Sequence, residues 1–76
     1  MIDFKAEIEK YSQTATGNKL KNLLYEVFDN DEFVCSELYF ANENNTYKQM
    51  IDYIEAGHKD YASVVKYSLD MELKHD

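Results

Sequence analysis

Asn18-Lys19-Leu20-Lys21-Asn22-Leu23-Leu24-Tyr25-Glu26-Val27-Phe28 is the stretch that decides the fold. Leu20, Leu23, Leu24, Val27 and Phe28 recur at intervals of three and four, which gathers them on one face of a helix and leaves lysine, asparagine and glutamate on the other. Gly17 stands before the stretch and Asn18 suits a helix cap, so the spacing predicts a helix opening at Asn18. Toward the N-terminus, Phe4, Ile8 and Tyr11 keep the same rhythm and predict a helix from about Ile2 to Thr14. Toward the C-terminus the pattern is double. Phe33-Val34-Cys35-Ser36-Glu37-Leu38-Tyr39-Phe40 suits a strand by composition. Helical spacing fits it better: Val34, Leu38 and Ala41 share a face, Phe33 and Glu37 lie beside it, and Asp29 or Asn30 can cap the start.

Asn42-Glu43-Asn44-Asn45 reads as a loop, and Thr46 with Gln49 reads as a capping box opening a helix whose Tyr47, Met50, Ile51 and Ile54 face the core. Gly57 stands where a left-handed residue ends that helix, and Asp60 caps the next one. Tyr61, Val64, Val65, Leu69 and Leu73 form the last apolar stripe, with Asp70 and Lys74 paired on the surface. The expectation is an all-α fold, a compact bundle of four to five short helices forming a single small domain over residues 1–76. The alternative is an α+β domain with residues 33–40 as a strand. Tyr11, Tyr25, Tyr39, Tyr53 and Tyr67 stand 14 residues apart, a coiled-coil interval. Phe33, Tyr47 and Tyr61 follow the same interval offset by eight, but Gly17, Gly57 and the asparagine-rich loop interrupt the register, and the remaining columns show no consistent residue type.

With 76 residues, the chain has a thin core. Its single cysteine, Cys35, forms no intramolecular disulfide, which points to the cytoplasm. The opening residues carry Asp3 and Glu7 where a secretory signal has basic residues, and no apolar run approaches the length of a membrane span. The formal net charge is −7, from 15 acids against eight lysines and no arginine. Such a chain repels phosphate backbones and lacks the side chain best suited to bidentate phosphate or guanine recognition, so nucleic acid is disfavoured as a partner.

Recognisable chemistry is sparse. Glu72-Leu73-Lys74-His75 has the Glu-x-x-His spacing of di-iron bundles but not the second pair those sites require. Asp29-Asn30-Asp31-Glu32 resembles the start of a calcium loop, yet Val34 replaces the necessary glycine and Phe40 the bidentate glutamate. Two glycines 40 residues apart cannot assemble a phosphate loop or a dinucleotide fingerprint. Cys35, flanked by Phe33, Val34 and Leu38, has no lysine between Lys21 and Lys48 to lower its pKa, and it reads as a structural cysteine. His58, after Gly57, reads as a turn residue. No catalytic residue, metal site or cofactor is expected.

What remains is surface. From Asn22 to Tyr47 the chain carries Glu26, Asp29, Asp31, Glu32, Glu37 and Glu43 without a lysine, a distribution that steers a basic partner. Tyr25, Tyr53 and Tyr67 lie beside the apolar stripes, where tyrosine serves either to widen a core or to make an interface, including one between two copies of the chain. The leading expectation is a non-enzymatic acidic interaction protein, an adaptor or inhibitor of a basic protein partner, with a nucleic-acid mimic as its sharpest form. Behind it stand a small transcriptional regulator contacting DNA through the C-terminal helical hairpin, and an enzyme using Cys35 or the histidines.

Overall fold

The computed structural model describes residues 2–75, with side chains as far as Leu73. Five helices follow one another: α1 (Phe4–Tyr11), α2 (Ala15–Val27), α3 (Asp31–Asn44), α4 (Tyr47–Glu55) and α5 (Tyr61–His75). They fold into a body of 28 × 27 × 24 Å with α3 at its centre, in contact with each of the other four. The stretch from Phe33 to Phe40 is helix, so the all-α expectation holds and the strand alternative falls.

Local chemistry explains most of the helix ends. Asp3 accepts a hydrogen bond from the Ala6 amide at 3.2 Å to open α1, and Asn30 does the same for Phe33 at the start of α3. Asp60 accepts from the Ser63 amide at 3.0 Å, the cap anticipated for α5. Gly57, with φ of 111°, turns the chain after α4 in the conformation expected of it, and its amide returns to the Ile54 carbonyl at 3.0 Å.

Four boundaries differ from the sequence reading. α1 spans Phe4–Tyr11 and ends short of Thr14, which caps α2 instead. Gly17 lies inside α2, which opens at Thr14: the Thr14 hydroxyl accepts from the Gly17 amide at 2.9 Å. Glycine is required there by a neighbour, because a Cβ at this position would stand 2.7 Å from the Tyr11 carbonyl oxygen. Asn42, Glu43 and Asn44 belong to the last turn of α3. Only Asn45 leaves the helix, with φ 56° and ψ 48°, a left-handed conformation that asparagine tolerates, and the Thr46 amide closes back on the Ala41 carbonyl at 3.0 Å. Thr46 precedes α4 without a side-chain cap, since its backbone is not extended (ψ 26°) as a capping residue's is, and the box with Gln49 does not form.

The buried core consists of Ile8, Leu20, Leu24, Phe28, Val34, Cys35, Leu38, Ala41, Met50, Ile51, Ile54 and Val64. Each large aliphatic side chain among them contributes about 1.5–3 kcal/mol by leaving water. Leu23, Val27, Tyr47, Val65 and Met71 pack half-buried around it. The stripe expected on α5 needs correction: Leu69 is 48% and Leu73 74% exposed, while Ser68 is buried. Tyr61, Val65, Leu69 and Leu73 follow one another by four, and each such step turns about 40° past a full helical turn, so the row winds off the core face. Val64, Ser68 and Met71 hold that face instead.

Candidate interaction surface

The nine residues singled out in the sequence scatter when folded. Of the acids, Asp29, Glu32 and Glu43 are exposed as expected. Glu26 is exposed but pairs with Lys59 at 3.3 Å, so its charge is compensated. Asp31 accepts a 2.7 Å hydrogen bond from the Tyr25 hydroxyl. Partial burial and this acceptor push the Tyr25 phenol up to about 12. Glu37 is not on the surface at all. It is 6% exposed, in the contact between α3 and α5 beside Ser68 and Glu72. The acidic stretch is therefore not one continuous face.

Tyr53 and Tyr67 are half-buried and occupied with each other. Their rings stack at 4.0 Å and 6° across α4 and α5, and His58 continues the stack on Tyr53 at 4.3 Å and 10°. Both pack against the core. The 14-residue tyrosine interval likewise yields local pairs rather than a seam: Tyr11 meets Tyr39 edge-on at 6.0 Å, and Tyr25 turns to Asp31.

A different set of residues makes an apolar concavity of the surface. Between α1 and α3 runs a groove of about 360 Å³ lined by Ile2, Phe4, Glu7, Tyr11, Cys35, Ser36, Tyr39 and Phe40. Ile2 is 65% and Tyr39 44% exposed, so the groove presents hydrocarbon and aromatic surface to solvent. Its position follows from the fold. The Tyr47 hydroxyl donates to the Tyr11 carbonyl at 3.0 Å and pins the end of α1, while Ile8 anchors that short helix to the core. Glu7 brings a carboxylate to the wall, and Ile2 and Phe4 also border an adjoining hollow with Asp3, Lys5 and Asp31. Glu7 thus lies on the aromatic trough itself, and Asp3, Lys5 and Asp31 in the hollow beside it.

Sequence reasoning gave Phe4 and Tyr11 to the core and passed over Ile2 and Tyr39. Tyr39 and Phe40, three and four residues after Ser36, were the available signal that α3 turns two aromatic rings to a second face. Cys35 lies at the groove but is buried; burial pushes its thiol up and the Glu7 charge adds to the effect, the reverse of what thiolate chemistry requires. Among the described residues no group of three or more histidine, cysteine, aspartate or glutamate side chains could hold a metal ion. The side chains of Lys74 and His75 lie outside the described residues, so the Glu72–His75 spacing and the Asp70–Lys74 pair are not defined. Among the described residues no helix is long and apolar enough to cross a membrane. No family model, curated protein or solved structure matches the chain.

Proposed function

We propose that this chain acts without catalysis, as an interaction module that binds a basic protein segment in the groove between α1 and α3. The observation that carries the reading is the exposed aromatic trough of Ile2, Phe4, Tyr39 and Phe40 with Glu7 on its wall and Asp3 and Asp31 in the adjoining hollow, on a chain of net charge −7. A groove between two helices accommodates a third amphipathic one, whose large apolar side chains fill the trough while its lysines and arginines meet the acids. Asp29, Glu32 and Glu43, exposed elsewhere on the α2–α3 side of the chain, extend the negative potential that accelerates encounter. The nucleic-acid-mimic form of this reading loses support from Glu37, which is buried. A lone buried cysteine suits a reducing compartment, so the partner is sought in the cytoplasm.

The test uses a synthetic cationic amphipathic helix of leucine and lysine as probe, titrated into isotopically labelled protein. Amide and side-chain shifts should concentrate on Ile2, Phe4, Tyr11, Tyr39 and Phe40. The pair Ile2→Asp and Tyr39→Ser should weaken binding by roughly tenfold or more, the effect of losing central apolar anchors. Glu7→Lys should slow association and flatten its salt dependence. Shifts spread evenly over the surface, or an affinity indifferent to all three substitutions, would refute the assignment of this groove.

A further inference from the structure

The helix contact between α3 and α5 contains a carboxyl group that no binding role explains. Glu37 stands within the central helix, two residues after Cys35 and one before Leu38, at 6% exposure. Its Oε1 meets no hydrogen-bond partner among the described residues. A buried acceptor left unpaired is costly when neutral and far more so when charged. On the facing helix α5, the Ser68 hydroxyl offers the ionised form partial support, and Glu72, one turn further on, opposes it with a charge of the same sign. From α1, Glu7 faces Cys35 and Tyr11 on the other side of α3. Among the described residues, Glu72 is thus the charged group that acts on Glu37, and it acts in the same direction as burial.

We propose that Glu37 is a proton-operated latch on α5: protonated, it lets α5 seat against α3, and ionised, it repels Glu72 and draws water into the contact, so that α5 loosens. Burial, with Glu72 adding and Ser68 opposing, raises the carboxyl from 4.5 to about 7, which places the transition near neutrality. The sign follows from linkage. A carboxyl whose folded state holds its proton more tightly than the unfolded chain contributes closure that is complete below about pH 4.5 and is lost as the pH rises through about 7. The element released is the one that carries Leu69 and Leu73 on its outer face and Tyr67, stacked on Tyr53, on its flank. Loosening α5 therefore uncovers Val64 and the Tyr53 ring while α2 and its core leucines stay in place.

Hydrogen exchange of the whole chain between about pH 5.5 and 8.5, corrected for the intrinsic pH dependence of exchange, tests this directly. Protection of α5 amides should fall by at least roughly tenfold across that range, as proton linkage with a midpoint near 7 requires, with α2 changing less. Glu37→Gln, which keeps the shape and removes the titration, should flatten the profile. Glu72→Gln should move its midpoint to lower pH. Both histidines remain in Glu37→Gln, so pH dependence that persists in that variant would belong to them and overturn the proposal. A carbon-13 titration of the Glu37 carboxyl in the unmodified protein needs no substitution, and a midpoint in the ordinary glutamate range would overturn it equally.

Discussion

Replacing Leu24 and Leu73 by alanine, one at a time, separates what the fold buries from what the sequence pattern alone would bury. Both leucines belong to helical apolar stripes, and periodicity ranks them alike. In the structure Leu24 is fully buried on α2 between Leu20 and Phe28, whereas Leu73 is largely exposed on α5. Truncating Leu24 removes hydrocarbon from the core and leaves a cavity, at a cost of about 2–5 kcal/mol. Domains hold roughly 0.05–0.15 kcal/mol per residue, so 76 residues carry about 4–11 kcal/mol in all, and the loss is a large share of it. At about 4–8 °C per kcal/mol for a chain of this size, the melting temperature of Leu24→Ala should fall by at least roughly 8 °C. Leu73→Ala should stay within about 0.5 kcal/mol of the parent, as surface substitutions do. Thermal and urea unfolding followed by far-ultraviolet circular dichroism measures both, and an unchanged urea slope confirms that stability rather than the unfolded state has moved. Equal destabilisation by the two variants would refute the placement of α5, and a stable Leu24→Ala protein would refute the core.

Gly57→Ala should cost about 1 kcal/mol or more, read as a lower urea midpoint, because φ of 111° strains any side chain although nothing lies within 4 Å of the added carbon. Cys35 should react with an aromatic disulfide reagent at neutral pH at least about tenfold more slowly in the folded protein than in urea, since the thiol is buried and its pKa raised. Tyr67→Ser should lower the melting temperature, having lost a stacked pair worth about 0.5–1.5 kcal/mol beyond its buried area, and should leave the mass measured by light scattering unchanged. A change of mass instead would assign Tyr67 to an interface between copies.

The parts of the fold legible in the sequence are those set within a few residues. The α2 stripe, the glycine turn at Gly57 and the Asp60 cap each depend on side chains no more than four residues from the backbone they govern, and each is found where the pattern places it. Gly17 was misread because its reason is tertiary: the carbonyl of Tyr11, six residues earlier, comes within 2.7 Å of where a Cβ would stand, and no local pattern encodes that approach. Asn42 and Asn44 look like loop residues by composition, yet a helix already stabilised by Val34, Leu38 and Ala41 carries them through one more turn before Asn45 supplies the left-handed stop.

Glu37 and the α1–α3 groove were illegible for a common reason, the central place of α3. A surface helix with a neighbour on one side buries one arc, and the spacing of its apolar residues marks that arc. With four helices packed against it, burial extends over more than one arc: Cys35 turns toward α1 and Glu37 toward α5, though the two stand about 160° apart around the helix. The sequence of α3 is accordingly weakly amphipathic, and its polar residues cannot be sorted into inside and outside by period. The flank of α3 that α1 leaves uncovered keeps part of the surface of Tyr39 and Phe40 exposed. An aromatic trough therefore lies on one flank of α3, and the contact with α5 encloses an acid on another.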